Sequence, residues 1–381
     1  MKFVLFYHSL VSDWNHGNAH FLRGVVTELI EAGHVVDVYE PSDSWSRQQL
    51  VEEHGEEPLA EFARRFPRLR SHTYDVDTFD LDVALDGADV VLVHEWNDPL
   101  LVARIGRHRQ AVGSYRLLFH DTHHRSVTAP QEMEAYDLGG YDGVLAFGEA
   151  VRQRYLERGW AQRVWTWHEA ADTRVFKPID DVPVQGDLVW IGSWGDDERS
   201  RGLCEFLVEP VAALSLFACV HGVRYPRAAL DLLAEAGIDY RGWLPNHRVP
   251  EVFAAFRVTV HVPRRPYVLA LPGIPTIRVF EALACGIPLV SAPWHDVEGL
   301  FHRGRDYLVA RNGTQMRRHL RAVLHDRAMA RELRENGLRT VRSRHTCAHR
   351  VQELFTFLAE FGDAVHVRNA AGPEQGRSLH A

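Results

Sequence analysis

Arg278 and Glu281 lie one helical turn apart, so a cation and a carboxylate can meet the same ligand. Pro275 suits a first helical position and Gly286 a C-terminal cap, which predicts a helix of about ten residues between them. The free N–H groups and the positive dipole end of such a helix favour an anion, most simply a phosphate. The alternative is an ordinary helix of an α/β layer whose apolar face packs on a sheet.

Polar and aromatic residues also follow several apolar runs that have the pattern of buried strands. In open α/β sheets, ligands bind beyond the carboxyl ends of the strands, so these residues are predicted to face a cleft. They are Asn15, His16, Gly17 and Asn18 after the first run, His94, Glu95 and Trp96 after a later one, and His120 at the end of the next. For the first group, the alternative is a surface loop with an asparagine helix cap. His120 begins a stretch with three histidines and an aspartate, for which a metal site is weighed against a polar cleft wall.

Two stretches of alternating strands and helices position these residues. In the first, apolar runs at 3–7, 35–39, 89–94, 116–120 and 142–147 read as strands, and the stripe that starts at Phe21 reads as a crossover helix. The second stretch begins after a segment at 177–187 that is rich in proline, aspartate and glycine. We therefore expect an α/β protein with two Rossmann-like, doubly wound domains that face a cleft. The predicted units are 1–176, a linker at 177–187, 188–345, a closing helix at 346–361 and a disordered tail at 362–381.

The composition is that of a globular protein rather than a membrane-spanning or nucleic-acid-binding one. The 381 residues include 46% hydrophobic and 25% charged residues, and no stretch has the roughly 18 consecutive apolar residues that a membrane span requires. The net charge of −8 argues against general nucleic-acid binding, and four scattered cysteines predict neither a zinc site nor disulfides. The arginine-rich stretch at 301–350 is read as a solvated helical face, with peripheral contact to an anionic membrane as the alternative. Because no signal sequence precedes the first strand, we expect a cytoplasmic protein.

The run from Glu281 to Val290, Glu-Ala-Leu-Ala-Cys-Gly-Ile-Pro-Leu-Val, resembles the donor-binding signature of retaining glycosyltransferases with the GT-B architecture. The resemblance is to family four, also called glycosyl transferases group 1, and the stretches 164–178 and 241–245 extend it. It implies a second domain that binds a nucleotide sugar, a first domain that binds the acceptor, and a C-terminal helix that crosses back. The residues expected to bind the acceptor are Asn15, His16, Gly17, Asn18, His94, Glu95 and Trp96, with the loop 15–18 meeting the acceptor or the transferred sugar. It implies no tightly bound cofactor and no metal.

The resemblance also implies roles for individual residues. Glu281 is expected to bind the ribose hydroxyls, Arg278 and the helix end to hold the pyrophosphate, and His120 to hydrogen-bond the donor sugar. Where the family has its first basic residue this chain has Ser193, so Arg199 or Arg201 is expected to supply that charge. The implied donor-binding residues are Gly192, Ser193, Trp194, Arg199, Arg201, Trp243, Leu244, Arg264, Gly273, Ile274, Pro275, Thr276 and Glu281. A salt bridge from the arginines to Asp196 or Asp197 is the alternative to phosphate binding.

One residue departs from the family pattern. The family commonly carries Glu-x7-Glu, but Gly273 stands eight residues before Glu281. The sugar hydroxyls are therefore expected to meet backbone N–H groups within 274–276 instead of a carboxylate.

The expected function is a retaining glycosyltransferase that moves a hexose, by default glucose, from a nucleotide sugar, by default UDP-linked. The expected acceptor is a carbohydrate or a lipid-linked sugar in polysaccharide or glycolipid synthesis. A nucleotide-sugar epimerase or an inverting transferase on the same fold, and a catalytically silent sugar-nucleotide-binding protein, stay open as alternatives. A dinucleotide-dependent oxidoreductase is disfavoured because no Gly-x-Gly-x-x-Gly follows a strand. The oligomeric state is left open.

Overall fold

The structure is a computed structural model that describes residues 1–195 and 197–362. The predicted disordered tail therefore lies outside the described residues, apart from Gly362. Within the described residues the chain forms two sheets in which all paired strands are parallel.

The first sheet has the strand order β3-β2-β1-β4-β5-β6-β7. Its strands are β1 (Lys2–Phe6), β2 (Val35–Pro41), β3 (His72–Tyr74), β4 (Val90–His94), β5 (Arg116–Asp121), β6 (Gly143–Ala146) and β7 (Val164–Thr166). The second sheet has the order β10-β9-β8-β11-β12-β13. Its strands are β8 (Gly186–Ile191), β9 (Ala218–His221), β10 (Ile238–Tyr240), β11 (Phe256–His261), β12 (Leu289–Ser291) and β13 (Leu308–Val309). The predicted linker at 177–187 lies between the two sheets except for Gly186 and Asp187, which already belong to β8. The domain division stays a prediction.

Helices connect the strands. Those of the first half are α1 (Ala19–Glu31), α2 (Trp45–His54), α3 (Glu57–Arg65), α4 (Leu81–Ala84), α5 (Pro99–Val112), α6 (Arg125–Thr128), α7 (Pro130–Glu134) and α8 (Glu149–Arg158). Those of the second half are α9 (Asp197–Leu203), α10 (Glu209–Leu214), α11 (Arg227–Glu235), α12 (Val249–Ala254), α13 (Arg265–Leu269), α14 (Ile277–Cys285), α15 (Gly313–His325), α16 (Arg327–Arg344) and α17 (Cys347–Ala359). A π-helical turn at Cys204–Val208 and a 3₁₀ turn at Asn246–Arg248 complete the set. Among the described residues, no helix combines the length and the apolar character that crossing a membrane requires.

The first sheet is buried on both faces, as its central strand shows. Phe3 and Leu5 of β1 belong to one apolar cluster, whereas Val4 and Phe6 belong to another. Because successive side chains of a strand point to opposite faces, the two clusters lie on opposite sides of the sheet. Double burial of this kind is typical of parallel strands joined by helices, and the predicted doubly wound α/β fold is confirmed.

The strand order reverses beside the first strand of each sheet, which is where ligand crevices form in such folds. In the first sheet this point lies between β1 and β4, and the segments that leave it are 7–18 and 95–98. In the second sheet it lies between β8 and β11, and the segments are 192–195 and 262–276. These four segments contain most of the residues that the sequence predicts to bind ligands.

The C-terminal helix α17 crosses back to the first half of the chain, as predicted. The Ala171 N–H donates to His345 O (3.0 Å), and the Cys347 N–H donates to Ala171 O (3.0 Å), just before and within the first turn of the helix. Cys347 Sγ then lies 3.9 Å from Phe21 O of α1. The two halves therefore share one continuous apolar cluster, which runs from the first sheet through α17 to α14.

Helix α14 starts slightly later than the sequence predicts. Thr276 is its N-cap residue and the helix runs from Ile277, so Pro275 lies one residue before the cap rather than at the first helical position. Gly286 ends it in a left-handed conformation with φ 69°, as the sequence predicts.

Gly24 allows the close contact between α1 and α17. A Cβ added there would lie 2.4 Å from Cys347 Sγ and 2.9 Å from Asp172 Cβ. We expect Gly24→Ala to lower the free energy of unfolding by about 2 kcal/mol, because overpacking costs this much in a closed core. Gly106→Ala in α5 is the matched control, since its Cβ would meet Tyr141 at 3.4 Å, an ordinary contact. Urea unfolding should show no loss for the control, because alanine favours helices by up to about 1 kcal/mol; equal losses would contradict the packing argument.

Candidate functional site

A cleft between the two halves of the chain holds open space of about 930 Å³. It is lined from the first half by Asp13, Asn15, His16 and Gly17. From the second half it is lined by Ile191, Gly192, Ser193, Arg199, Gly222, Val223, Trp243, Leu244, Asn246, Arg264, Tyr267, Thr276 and Arg278. The structure therefore brings predicted donor residues from several separate segments to one place, opposite the loop that was expected to meet the acceptor or the transferred sugar.

The loop after β1 is fixed against the second half of the chain by Asn246. Its side-chain Nδ2 donates to Gly17 O (3.2 Å), and its backbone N–H donates to Asp13 Oδ2 (3.0 Å). Asp13 also pairs with Arg23 of α1 at 2.9 Å. Asn15 has φ 48°, a left-handed conformation that asparagine adopts more readily than most residues. The loop is thus held in one conformation at the edge of the cleft.

Three guanidinium groups line the cleft, those of Arg199, Arg264 and Arg278. Together with the N-terminus of α14 they give this wall a strong positive charge. Guanidinium groups bind phosphate oxygens in a planar, often bidentate manner. The wall is therefore suited to a diphosphate.

The Arg199 side chain also makes two hydrogen bonds to backbone carbonyls. Its Nη1 donates to Ser193 O (3.0 Å) and its Nη2 donates to Val262 O (3.0 Å), which ties the loop after β8 to the end of β11. Arg201 does not reach the cleft and lines a neighbouring pocket with Arg265. Of the two arginines predicted to replace the family's first basic residue, the structure thus places Arg199 at the cleft. The alternative of a salt bridge stays open, because Asp196 lies outside the described residues and the side chain of Asp197 is not described.

Trp243 marks one end of the cleft. Its ring lies 4.8 Å from that of His54, and its Nε1 is buried without a hydrogen-bond partner among the described residues. Trp194, predicted to lie near this site, is instead 3% exposed and donates its Nε1–H to Ser200 Oγ (2.7 Å).

Gly222 lets the strand ends at this side of the cleft approach each other. A Cβ added there would lie 2.0 Å from Gly192 O. Gly222, Asn246 and Tyr267 are not among the residues predicted from the sequence, because no local pattern distinguishes them from their neighbours. Their roles depend on partners far along the chain.

The segment before α14 faces the cleft only at its end. Thr276 lines the cleft, whereas Gly273, Ile274 and Pro275 are buried behind it. The Gly273 N–H donates to His295 O (2.8 Å), and Ile274 O accepts from Trp294 Nε1 (3.1 Å). The predicted recognition of sugar hydroxyls by backbone N–H groups of 274–276 stays a prediction.

Gly273 has both a backbone and a packing reason to be glycine. Its φ of +91° lies in the left-handed region, and a Cβ added there would lie 2.9 Å from Glu298 Cγ and from Val297 Cγ2. Glu298 accepts the Glu149 N–H at the start of α8 (3.0 Å) and pairs with His168 Nε2 (2.8 Å). The space of the missing glutamate side chain is therefore occupied by another glutamate, one that joins the two halves of the chain.

Glu281 is fully buried directly behind the arginine wall. Its Oε1 lies 2.7 Å from His20 Nδ1 of α1, and its Oε2 accepts from Arg278 Nη1. Burial opposes its ionisation, but the charges of Arg278 and His20 outweigh this effect and lower the pKa of Glu281 below its usual value. In this conformation Glu281 holds Arg278 towards the cleft, and its predicted contact with ribose stays a prediction.

His94, Glu95 and His120 form a polar cluster one layer below the cleft. His94 and His120 are register partners on β4 and β5, so their rings share one face of the sheet, 5.4 Å apart. Glu95 lies 3.0 Å from His94 Nε2 and accepts from Thr122 Oγ1 (2.9 Å). Burial opposes ionisation of Glu95, but His94 outweighs it and holds the pKa of Glu95 well below its usual range.

His120 is completely buried, and neither ring nitrogen has a hydrogen-bond partner among the described residues. Burial, helped by the charge of His94, lowers the pKa of His120 to about 3. The imidazole is thus neutral at pH 7 and a poor base, which suits an orienting role. It lies against Trp167, at a ring distance of 4.8 Å, rather than at the cleft surface.

A second pocket, with open space of about 1340 Å³, lies at the carboxyl ends of the first sheet. Trp45 and Trp96, 43% and 40% exposed, form part of its walls, and Asp43, Asp77 and Asp98 are among its polar lining. Its other lining residues are His8, Pro41, Ser42, Ser44, Tyr74, Asp75, Val76, Asn97, Pro99, Arg125, Glu132, Ala135 and Tyr136. The His8 ring lies 5.3 Å from that of His16 in the cleft, so the two cavities meet at this pair. Of the residues predicted to bind the acceptor, Trp96 therefore belongs to this second pocket.

A metal site at His120–His124 finds no support in the described ranges 1–195 and 197–362. Within them, no group of three or more histidine, cysteine, aspartate or glutamate side chains is arranged to hold a metal ion. The absence of a metal requirement stays a prediction.

Comparison with known protein families gives a match over the second half of the chain. Residues 199–356 match the family model described as glycosyl transferase-like. No curated protein sequence matches the chain.

Solved structures match almost the whole chain. Sucrose-phosphate synthase from Thermosynechococcus elongatus is 15% identical, with a TM-score of 0.65, over 95% of this chain and 99% of that one. HepE from Anabaena, solved with UDP-glucose, is 12% identical, with a TM-score of 0.66, over 94% of this chain and 100% of that one. An alpha-glucosyltransferase in complex with UDP-glucose and DNA is 13% identical, with a TM-score of 0.70, over 94% of this chain and 99% of that one. At these identities the likeness shows the fold.

We expect Glu281→Gln to lower the free energy of unfolding by about 3 kcal/mol, because removing one partner of a buried ion pair leaves the other uncompensated. We take the low end of the usual range because the Arg278 side chain is 24% exposed. Glu57→Gln is the control, since the Glu57–Arg64 pair is largely exposed and its loss should cost less than about 1 kcal/mol. Urea unfolding measures both.

Wild type and Glu281→Gln also test how the free energy of unfolding depends on pH. Because the pKa of Glu281 is lowered by folding, its stabilisation is complete above the ordinary carboxyl pKa and is lost as the pH falls through the lowered one. The stability gap between wild type and Glu281→Gln should therefore close in acid. A gap that stays constant would contradict an ionised Glu281.

Proposed function

We propose that this protein, a glycosyltransferase by its GT-B fold and by the glycosyl transferase-like match of residues 199–356, retains the anomeric configuration of the sugar it transfers. The donor is a nucleotide sugar, by default UDP-glucose, and the acceptor is a carbohydrate or a lipid-linked sugar. The observation that carries the proposal is the convergence of Arg199, Arg264 and Arg278 on one cleft, opposite the loop 13–17.

In this proposal the donor lies along the cleft. The diphosphate lies against the three arginines and the start of α14, where its charge, and the charge that develops on it during transfer, are stabilised. The nucleoside extends towards Trp243 and Leu244, which line the cleft. The sugar lies towards His16 and Gly17. UDP-glucose is the default because two of the similar structures were solved with it.

The reaction breaks the bond between the anomeric carbon and the diphosphate oxygen and forms a bond from that carbon to an acceptor hydroxyl oxygen. For retention, the hydroxyl attacks on the face from which the diphosphate leaves, and its proton passes to the departing phosphate. His120, which is neutral and buried beside His94 and against Trp167, is a poor base and positions these rings rather than taking the proton.

The acceptor occupies the second pocket, which adjoins the cleft at His8 and His16. The Arg125 guanidinium lies over the Trp96 ring, 4.3 Å from its centroid, and the exposed parts of the Trp45 and Trp96 indoles are left to pack against the apolar faces of sugar rings. Nearby carboxylates accept hydrogen bonds from sugar hydroxyls. Burial lowers the pKa of His8 to about 4, so this ring is neutral where the two substrates meet.

Release of free nucleotide from a panel of nucleotide sugars tests the proposal. We expect the protein to release UDP from UDP-glucose faster in the presence of sugar acceptors, and Arg278→Ala to raise the donor KM at least about tenfold by removing a charge-assisted contact. Arg227→Ala is the control, because the Arg227 side chain is 87% exposed and does not line the cleft. Donor binding without release would identify a catalytically silent sugar-nucleotide-binding protein, whereas neither release nor binding would refute the donor.

Product stereochemistry separates the retaining reaction from its alternatives. NMR of the product should show the anomeric configuration of the donor, and a chelator should leave turnover unchanged. An inverted product would identify an inverting transferase, and an altered nucleotide sugar without acceptor would identify an epimerase.

The second pocket has its own test. We expect Trp96→Ala to raise the acceptor KM about tenfold and to leave the donor KM unchanged, because an indole face contributes roughly 1.4 kcal/mol to stacking. Phe217→Ala is the control, since this ring is 78% exposed and lies outside both cavities. An equal change in the donor KM would show that Trp96 does not act through the acceptor.

A further inference from the structure

The carboxylate of Asp13, in the loop after β1, has one oxygen with partners and one without. Its Oδ2 accepts from Arg23 Nη1 (2.9 Å) and from the Asn246 N–H (3.0 Å). Its Oδ1 is buried and has no hydrogen-bond partner among the described residues. Arg23 directs its Nε and Nη2 elsewhere, to Leu10 O and Val11 O. Because Asp13 is 7% exposed and lines the cleft, the cleft wall contains a carboxylate oxygen that the described residues leave unpaired.

His16, three residues further along the same loop, repeats this situation. It is 8% exposed and lines the cleft, and its Nε2 is buried without a partner among the described residues. Burial first, and then the charges of His8 and His94, lower the pKa of His16 well below its usual value, so the ring is neutral at pH 7. Buried polar atoms almost always have partners, and a neutral imidazole and a carboxylate paired with arginine both form hydrogen bonds with hydroxyl groups. The loop is therefore suited to a ligand rich in hydroxyls.

The loop also lies directly against the start of α14. A Cβ added to Gly17 would lie 3.2 Å from Ile277 Cγ2 and 3.5 Å from Arg278 Nη2. Asn246 Nδ2 holds this part of the loop by donating to Gly17 O (3.2 Å). In a nucleotide sugar the sugar is bonded directly to the diphosphate. A diphosphate held by Arg278 therefore places the hydroxyls of its sugar beside this loop.

We propose that Asp13 is a specificity-determining residue, whose Oδ1 accepts a hydrogen bond from a hydroxyl group of the transferred sugar. This inference rests on the proposed function, because it takes a nucleotide sugar as the ligand of the cleft. A carboxylate oxygen only accepts hydrogen bonds, so it selects a ligand that donates one and repels the unprotonated oxygens of a diphosphate. A sugar that lacks the hydroxyl leaves the buried oxygen unpaired, which is the kind of site that rejects such analogues strongly.

The Asp13→Asn variant changes the free position and keeps the structural contacts. Arg23 and the Asn246 N–H both require an oxygen, so the amide oxygen takes the place of Oδ2 and the NH₂ group takes the place of Oδ1. Asp142→Asn is the control, because Asp142 also accepts a backbone N–H (2.8 Å) and pairs with an arginine (3.3 Å) but does not line the cleft. Calorimetry measures the binding of UDP, UDP-glucose and the monodeoxy derivatives of UDP-glucose, and urea unfolding measures the stability of each variant.

We expect at least one monodeoxy derivative to bind the wild type about tenfold more weakly than UDP-glucose, through the loss of one hydrogen bond to a charged group. Asp13→Asn should weaken UDP-glucose binding by a similar factor, because its NH₂ group offers no lone pair to the hydroxyl proton. It should bind that derivative about as well as UDP-glucose and leave UDP binding unchanged. UDP has no sugar, so a general disturbance of the cleft does not give this pattern. The wild-type comparison needs no variant and can refute the inference even if Asp13→Asn does not fold.

Other results overturn the inference. If no monodeoxy derivative binds the wild type more weakly than UDP-glucose, the loop holds no sugar hydroxyl. If Asp13→Asn weakens UDP and UDP-glucose equally, Asp13 acts only through the position of the loop, and if Asp142→Asn gives the same pattern, the effect is not local. Each of these results leaves the proposed function intact. A wild-type protein that binds neither UDP nor UDP-glucose refutes the proposed donor itself, and Asp13 then loses its ligand.

Discussion

The buried carboxylate of Glu281 is the constraint on which the arrangement of the cleft depends. A fully buried charge must be paired, and its partners come from both halves of the chain, His20 of α1 and Arg278 of its own helix. The pairing therefore holds α1 against α14 and turns the Arg278 guanidinium towards the cleft. Because the loop after β1 leads directly into α1, the same contact also helps to fix the position of Asn15, His16 and Gly17 opposite the arginines of the cleft.

The sequence predicts what local patterns encode. Apolar runs and crossover helices give the parallel sheets, and the residues after the central strands give the cleft loops, because ligands collect at the carboxyl ends of strands. It does not predict the contacts that join the halves, such as Asn246 with Gly17 or Glu281 with His20, since each pair is more than 200 residues apart. The sequence also does not show how deeply a predicted site residue is buried. His120 follows the rule for cleft residues, but it lies within β5 rather than after it and is completely buried.

Gly273 shows how a departure from a family pattern can be a coupled exchange rather than a loss. Its left-handed backbone and the contact with Glu298 leave no room for a side chain. Glu298 fills that room. It accepts a hydrogen bond from the Glu149 N–H and pairs with His168, and both residues lie in the first half of the chain. The carboxylate near this position therefore joins the two halves instead of facing the cleft.

The cleft consequently separates charge by depth. Cationic residues line it at Arg199, Arg264 and Arg278, while the carboxyl groups of Glu95 and Glu281 are fully buried and do not line it. Both carboxyls are stabilised as anions by specific partners, Glu95 by His94 and Glu281 by Arg278 and His20. Because these negative charges are paired below the surface, an anion that enters the cleft meets the arginines first and the carboxylates only behind them.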